Sequence, residues 1–174
     1  MNYRTTADCM PHLLDPKNVR MLTGHKVFSE AELRSRCEIM LDNYCKTVVI
    51  EANTMLDMAR TQIAPAVAAY TKELCETLAL KRASDAALAC SWENRMIRRL
   101  SALTDQISAR QEALEEALSG LGDAENAEAE ACAIRDVVLV RMSELRMACD
   151  EAETLTAKKY WPFPTYGELL FGIR

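Results

Sequence analysis

Phe28-Ser29-Glu30-Ala31-Glu32-Leu33 opens the stretch that decides the fold. Ser29 and Glu32 have the spacing of a capping box, in which each side chain accepts the other residue's free backbone N–H at a helix start. Phe28 and Leu33 stand where a hydrophobic staple would hold the incoming chain. From Leu33 an apolar stripe runs through Cys37, Leu41, Tyr44, Val48, Ala52, Met55, Ala59, Ile63, Ala66, Tyr70, Leu74 and Leu78. Steps of three and four keep these residues on one helical face. Pro65 interrupts the pattern. It lacks an N–H and its ring crowds the carbonyl of Thr61, so the spacing predicts a helix that kinks or breaks there and continues to about Arg82.

Working outward, Ser84-Asp85 is expected to open a second long helix. Its stripe is Ala89, Met96, Leu100, Leu103, Ile107, Leu114, Ala117 and Leu121. Gly120 and Gly122 flank its end, and Asp123 is a cap for a third helix. That helix carries Ala127, Ala131, Ile134, Val138, Leu145, Ala148, Ala152 and Leu155, and is expected to stop near Lys159. Short connections make neighbouring helices antiparallel. The expected fold is therefore all-α: an up-down-up bundle of three long antiparallel helices, the first kinked at Pro65. Residues 1–174 form a single domain in this reading, with short helices over 1–28, the long-helix bundle over 29–159 and a docking tail over 160–174. In the first part, Asp15 is an N-cap ahead of Pro16, and Gly24 is a left-handed stop. In the last, Tyr160-Trp161-Pro162-Phe163-Pro164 is aromatic and extended. Thr165-Tyr166-Gly167-Glu168 then forms a second capping box, opening a short helix through Leu169, Leu170 and Phe171. So apolar a tail should dock on a surface, with Trp161 as its anchor.

Composition narrows the function. Half the chain is apolar (49%), while glycine and proline number five each, which suits long helices. The net charge of −5 argues against a nucleic-acid-binding module. Arg95, Arg98 and Arg99 form the densest basic patch and are expected on a solvated face. No apolar run approaches the ~18 residues that span a bilayer, and Met-Asn-Tyr-Arg-Thr-Thr is not an apolar signal segment. A cytoplasmic protein without a membrane or nucleic-acid partner is expected. The seven cysteines are odd in number and scattered, which fits reduced, buried apolar residues.

Reaction chemistry is hard to place on these residues. The five glycines are isolated, so no phosphate-binding loop is present. His12 and His25 have no nucleophile beside them, and His25 fits a surface turn. Cys9 and His12 make half of a zinc spacing, with no second half. Glu115-Glu116 and Glu125 to Glu130 suit solvated faces. Catalytic, cofactor-binding and metal residues are all expected to be absent. Glu51 and Arg110 lie close to apolar stripes. Each is either a rim side chain with its charge in water, or a polar contact that sets helix register or reaches another chain.

Several blocks carry a resemblance. They are Lys17-Asn18-Val19; Val27-Phe28-Ser29-Glu30-Ala31-Glu32-Leu33-Arg34-Ser35-Arg36; Tyr44-Cys45-Lys46-Thr47-Val48-Val49-Ile50-Glu51-Ala52-Asn53-Thr54-Met55; Ile63-Ala64-Pro65-Ala66; and Tyr160 through Phe171. In this order, over about residues 15–80 and 158–171, the chain resembles the C-terminal domain of type III glutamine synthetase. Residues 83–150 match in helical character alone, and Cys37 stands where the pattern has tyrosine. The resemblance implies a parent enzyme that joins ammonia to glutamate with ATP and divalent metal ions. It places the catalytic residues upstream of this chain, so no catalytic or metal role carries over. The implied partners are the chain's own catalytic domain and neighbouring subunits of a ring assembly. Ser29, Glu32, Pro65, Trp161, Phe163, Thr165 and Glu168 are the candidate structural and docking residues. The competing reading is a free-standing helical adaptor that binds a protein through an apolar helix face.

Overall fold

The computed structural model describes residues 3–164 and 166–172, and the backbone alone for Asp123, Tyr166 and Gly167. Among the described residues every regular element is helical. In order these are α1 (Thr6–Cys9), a 3-10 turn (Met10–Leu14), α2 (Pro16–Gly24), α3 (Glu30–Met58), a π turn (Ala59–Ile63) and α4 (Ala64–Ser84). They are followed by α5 (Ser91–Ser119), a 3-10 turn (Gly120–Asp123), α6 (Ala127–Ala133), a second π turn (Ile134–Val138), α7 (Leu139–Leu155) and α8 (Tyr166–Phe171).

The chain divides into two compact units, a division with no signal in composition. One is Met1–Thr54 with Ala113–Met142; the other is Met55–Glu112 with Ser143–Arg174. In the first unit Leu33, Ala52, Leu114, Ala131, Ile134 and Val138 are fully buried, with Cys37, Leu41, Cys45 and Val48 close behind. Arg135 ties α6 and its π turn to α1 through Asp8 at 2.7 Å, and also bonds Asp136. The Cys37 thiol donates to the Met10 carbonyl at 3.3 Å. In the second unit Val67, Leu100, Leu103, Ile107, Leu145, Ala148 and Ala152 are buried. There Arg99 pairs with Glu151, and Arg110 donates to the Glu144 carbonyl at 2.8 Å. Between these two contacts one residue number rises as the other falls, so α5 and α7 run antiparallel.

The start of α3 follows the expected chemistry. The Ser29 N–H donates to Glu32 Oε2 at 2.7 Å, and the Glu32 N–H donates to Ser29 Oγ at 3.3 Å. Bonds from the Ser29 backbone and hydroxyl hold the Glu32 carboxyl below its usual range. The α-helical ladder is interrupted next to Pro65, in the form of a π turn: the Ala64 N–H reaches back five residues to the Ala59 carbonyl, and Pro65 sits in the first turn of α4. A second π turn, at Ile134–Val138, has neither proline nor glycine to announce it. Each π turn buries its first and last residues, Ala59 with Ile63 and Ile134 with Val138. One extra residue in the turn brings both onto the inward face.

Other expected boundaries are corrected. Asp85 does not open the second helix. It ends α4, and its carboxylate accepts the Ala87 N–H at 2.8 Å, so the backbone turns over and α5 begins at Ser91. Ala89 is accordingly exposed, outside the stripe. Asn126, rather than Asp123, caps the third helical run, accepting from the Ala129 N–H at 2.9 Å. That run ends at Leu155, short of Lys159. Asp15 precedes α2 without a side-chain capping bond, because its carboxylate meets His12 Nδ1 at 3.2 Å. Gly24 is the last residue of α2, and the left-handed position falls two residues later, at Lys26 with φ 54°. A side chain pays a steric penalty there of about 1–2 kcal/mol, partly offset by the extra chain entropy glycine would lose. Lys26→Gly should therefore raise the unfolding free energy by up to about 1 kcal/mol in a urea titration. A loss of stability would show that the Lys26 side chain supplies more than its backbone costs.

The cysteines divide. Cys37, Cys45 and Cys149 are buried, whereas Cys9 and Cys75 are exposed, contrary to the expectation of burial throughout. Burial pushes the Cys45 and Cys149 thiols up to about 11, so both stay protonated at neutral pH.

Candidate docking site

The C-terminal segment is built from the end of α7 outward. After Leu155, a turn closes with the Tyr160 N–H donating to the Ala157 carbonyl at 2.9 Å and the Trp161 N–H to the Lys158 carbonyl at 3.2 Å. This turn delivers Lys159 and Tyr160 to α4. Lys159 Nζ lies 2.5 Å from Glu73, and the Tyr160 hydroxyl donates to the same carboxylate. The Tyr160 ring also meets Tyr70 at 5.6 Å between centroids, tilted by 39°. The Lys159 ammonium, ahead of the Tyr160 hydroxyl, holds Glu73 below its usual range, and Glu73 in turn raises both partners. Nothing in helix periodicity singled out Glu73. The available signal was Tyr70, one turn earlier on the stripe, facing a tail rich in aromatic residues.

Trp161 is half-buried and meets Phe163 edge-on, with centroids 6.2 Å apart at 74°. These rings, with Lys158, Pro164 and Glu168, line a shallow groove closed by a Lys158–Glu168 ion pair at 2.7 Å. Thr165 lies outside the described residues, and with it the expected second capping box. Glu168 is placed instead by its bond to Lys158. Beyond it, Leu169, Leu170 and Phe171 are 67%, 71% and 79% exposed. They form a contiguous apolar end on a six-residue helix.

The remaining candidates fall elsewhere. Ser29 and Glu32 belong to the α3 cap and Pro65 to the start of α4, as described. Glu51 is exposed, and Arg110 makes the interhelical bond to Glu144. Among the described residues, no group of three or more His, Cys, Asp or Glu side chains converges to hold a metal ion. No helix, among the described residues, is long and apolar enough to cross a membrane.

Several carboxylates are stabilised in their ionised form. Bonds from Thr5 lead the causes that take Asp8 down to about 2, while Lys81 lowers Glu93 and Arg135 lowers Asp136. A folded state with depressed carboxyl pKa values binds fewer protons than the unfolded chain, so stability falls as pH falls. The melting temperature should therefore hold from neutral pH to about 4.5, then drop steadily toward about pH 2. A flat profile across that window would show that these contacts add nothing to folding.

The structure thus defines an all-α domain whose distinctive feature is an aromatic C-terminal segment, tied to α4 and ending in an exposed apolar helix. Residues 1–82 match the model of the family described as "Glutamine synthetase C-terminal domain". A glutamine synthetase from Butyrivibrio fibrisolvens is 33% identical over 174 residues, covering 99% of this chain and 25% of the relative. A type-3 glutamine synthetase from Dictyostelium discoideum is 27% identical over 98% of this chain and 24% of its own length. A glutamine synthetase from Bacteroides fragilis (strain YCH46) is 26% identical over 94% of the chain and 23% of the relative. The chain is thus similar to the glutamine synthetase C-terminal domain over residues 1–82, and to glutamine synthetases along nearly its whole length. It spans about a quarter of the length of these relatives, and the similarity extends through residues 83–150, beyond the blocks that carried the resemblance.

Proposed function

We propose that this chain is the non-catalytic C-terminal helical domain of a type III glutamine synthetase, and that it supports subunit packing and assembly. The parent reaction in this reading is the ATP-dependent ligation of ammonia to glutamate, carried by a catalytic domain that is not part of this chain. The observation that carries the proposal is the exposed run Leu169, Leu170 and Phe171. Three adjacent apolar side chains at more than half exposure are a poor free surface in water and a good contact for another domain. The Lys159–Glu73 and Tyr160–Tyr70 contacts hold the root of this segment, so its apolar end is presented from a fixed base. An up-down-up order of three long helices within a single domain, cytoplasmic location, and contacts with the catalytic domain and neighbouring ring subunits belong to the same reading. Short connections at 85–90 and 124–126 support that order.

The test uses the polypeptide that joins this chain to a glutamine synthetase catalytic domain. Leu170→Asp combined with Phe171→Asp should reduce the assembly's mass in sedimentation while leaving the circular dichroism of the isolated chain unchanged. An assembly of unaltered mass, with both aspartates in place, overturns the docking role.

A further inference from the structure

Away from the tail, the second unit carries a groove between the end of α4 and the first turns of α5. It is lined by Arg82, Ser91, Asn94, Arg95, Arg98 and Arg99. We infer that this groove binds a compact phosphate-bearing polyanion.

The argument is one of unbalanced charge. Four exposed guanidinium groups face one groove in a chain whose net charge is −5, and no acidic side chain lines it among the described residues. Arg99 is held by Glu151, while Arg82, Arg95 and Arg98 have no ion-pair partner among the described residues. The acid closest in sequence on α5, Glu93, is turned inward and neutralised by Lys81, so it cannot compensate the arginines. Asn94 is fixed by donating to the Cys90 carbonyl at 2.7 Å. The geometry favours a compact anion over an acidic peptide. Arg95, Arg98 and Arg99 lie within little more than one helical turn, and Arg82 comes from the preceding helix. Carboxylates on a partner helix would be spaced about 5–6 Å apart with one charge each. A di- or triphosphate concentrates several charges in that distance, and its oxygens match the guanidinium fork.

The test is calorimetric titration of the whole chain with inorganic tripolyphosphate. Saturable binding with one site per chain is expected. Arg95→Gln with Arg98→Gln should weaken it by about tenfold or more. Both residues are exposed, so the melting curve without ligand should not move. Lys17→Gln with Arg20→Gln, on α2, should leave binding intact. Three results would overturn the inference: no binding at millimolar tripolyphosphate, equal loss in the α2 control, or tighter binding of an oligoglutamate peptide than of tripolyphosphate. The last would assign the groove to an acidic protein segment.

Discussion

Leu145→Ala should lower the unfolding free energy by about 2–5 kcal/mol. Leu145 is 0% exposed and lies in α7, beside Glu144, whose carbonyl accepts the Arg110 bond from α5. Leu100, Leu103 and Ile107 of α5 are equally buried in the same unit. Removing three carbons from such a position forfeits their transfer from water. It also leaves a cavity, because helices pinned by the Arg99–Glu151 and Arg110–Glu144 contacts cannot close fully over the gap. Urea denaturation measures the change directly. Met147→Ala is the control: the same helix, two residues on, 67% exposed, and expected to cost little. If the two variants lose equal stability, the second unit does not have the packed interior described here.

The second large effect is expected from Lys81→Met. The Glu93 side chain is 6% exposed, while that of Lys81 is 41% exposed. The substitution therefore removes the accessible partner and leaves the carboxylate enclosed, which is the costly way to break such a pair. In the intact protein the Lys81 bond, followed by a backbone bond, holds Glu93 below its ordinary 4.5. The pair's contribution is thus present above about pH 4.5 and fades as pH falls. Without Lys81, Glu93 loses the largest cause that favours its charge, and only its backbone bond is left to offset the desolvation. The melting temperature should fall clearly at pH 7, and the gap to the native protein should narrow as pH drops below 4.5. Adding Glu93→Leu should recover much of the loss at neutral pH, since an apolar side chain of similar size needs no partner. A double variant as unstable as the single one would mean that Lys81 acts through packing and not through charge.

The capping box and stripe of α3 were legible because both depend on residues a few positions apart. Leu33, Cys37, Leu41, Val48 and Ala52, read from spacing, are buried in the first unit. Pro65 likewise marked the break in the helical ladder, since a missing N–H is a local fact. Asp85 and Asp15 misled for a shared reason. A short carboxylate has several donors within reach, and Ala87 and His12 took the places that an N-cap would have filled. The blocks over about residues 15–80 and 158–171 carried the family resemblance in motifs, but the docking contact itself was hidden. Glu73 and Tyr160 are 87 residues apart, and no periodicity links them.

The sequence by itself determined that this chain is helical, where its main helices lie, which face of each is apolar, and its kinship with glutamine synthetases. All of these follow from propensity, spacing and local motifs. Tertiary structure alone decided the rest: the division into two units, the π turn at Ile134–Val138, the enclosure of Glu93 under Lys81, the seating of Tyr160 on α4, and the convergence of Arg82 with the arginines of α5. Each depends on which helix faces are brought together. An amphipathic stripe specifies that a face must be buried, but not against what, because the hydrophobic effect that buries it has no direction.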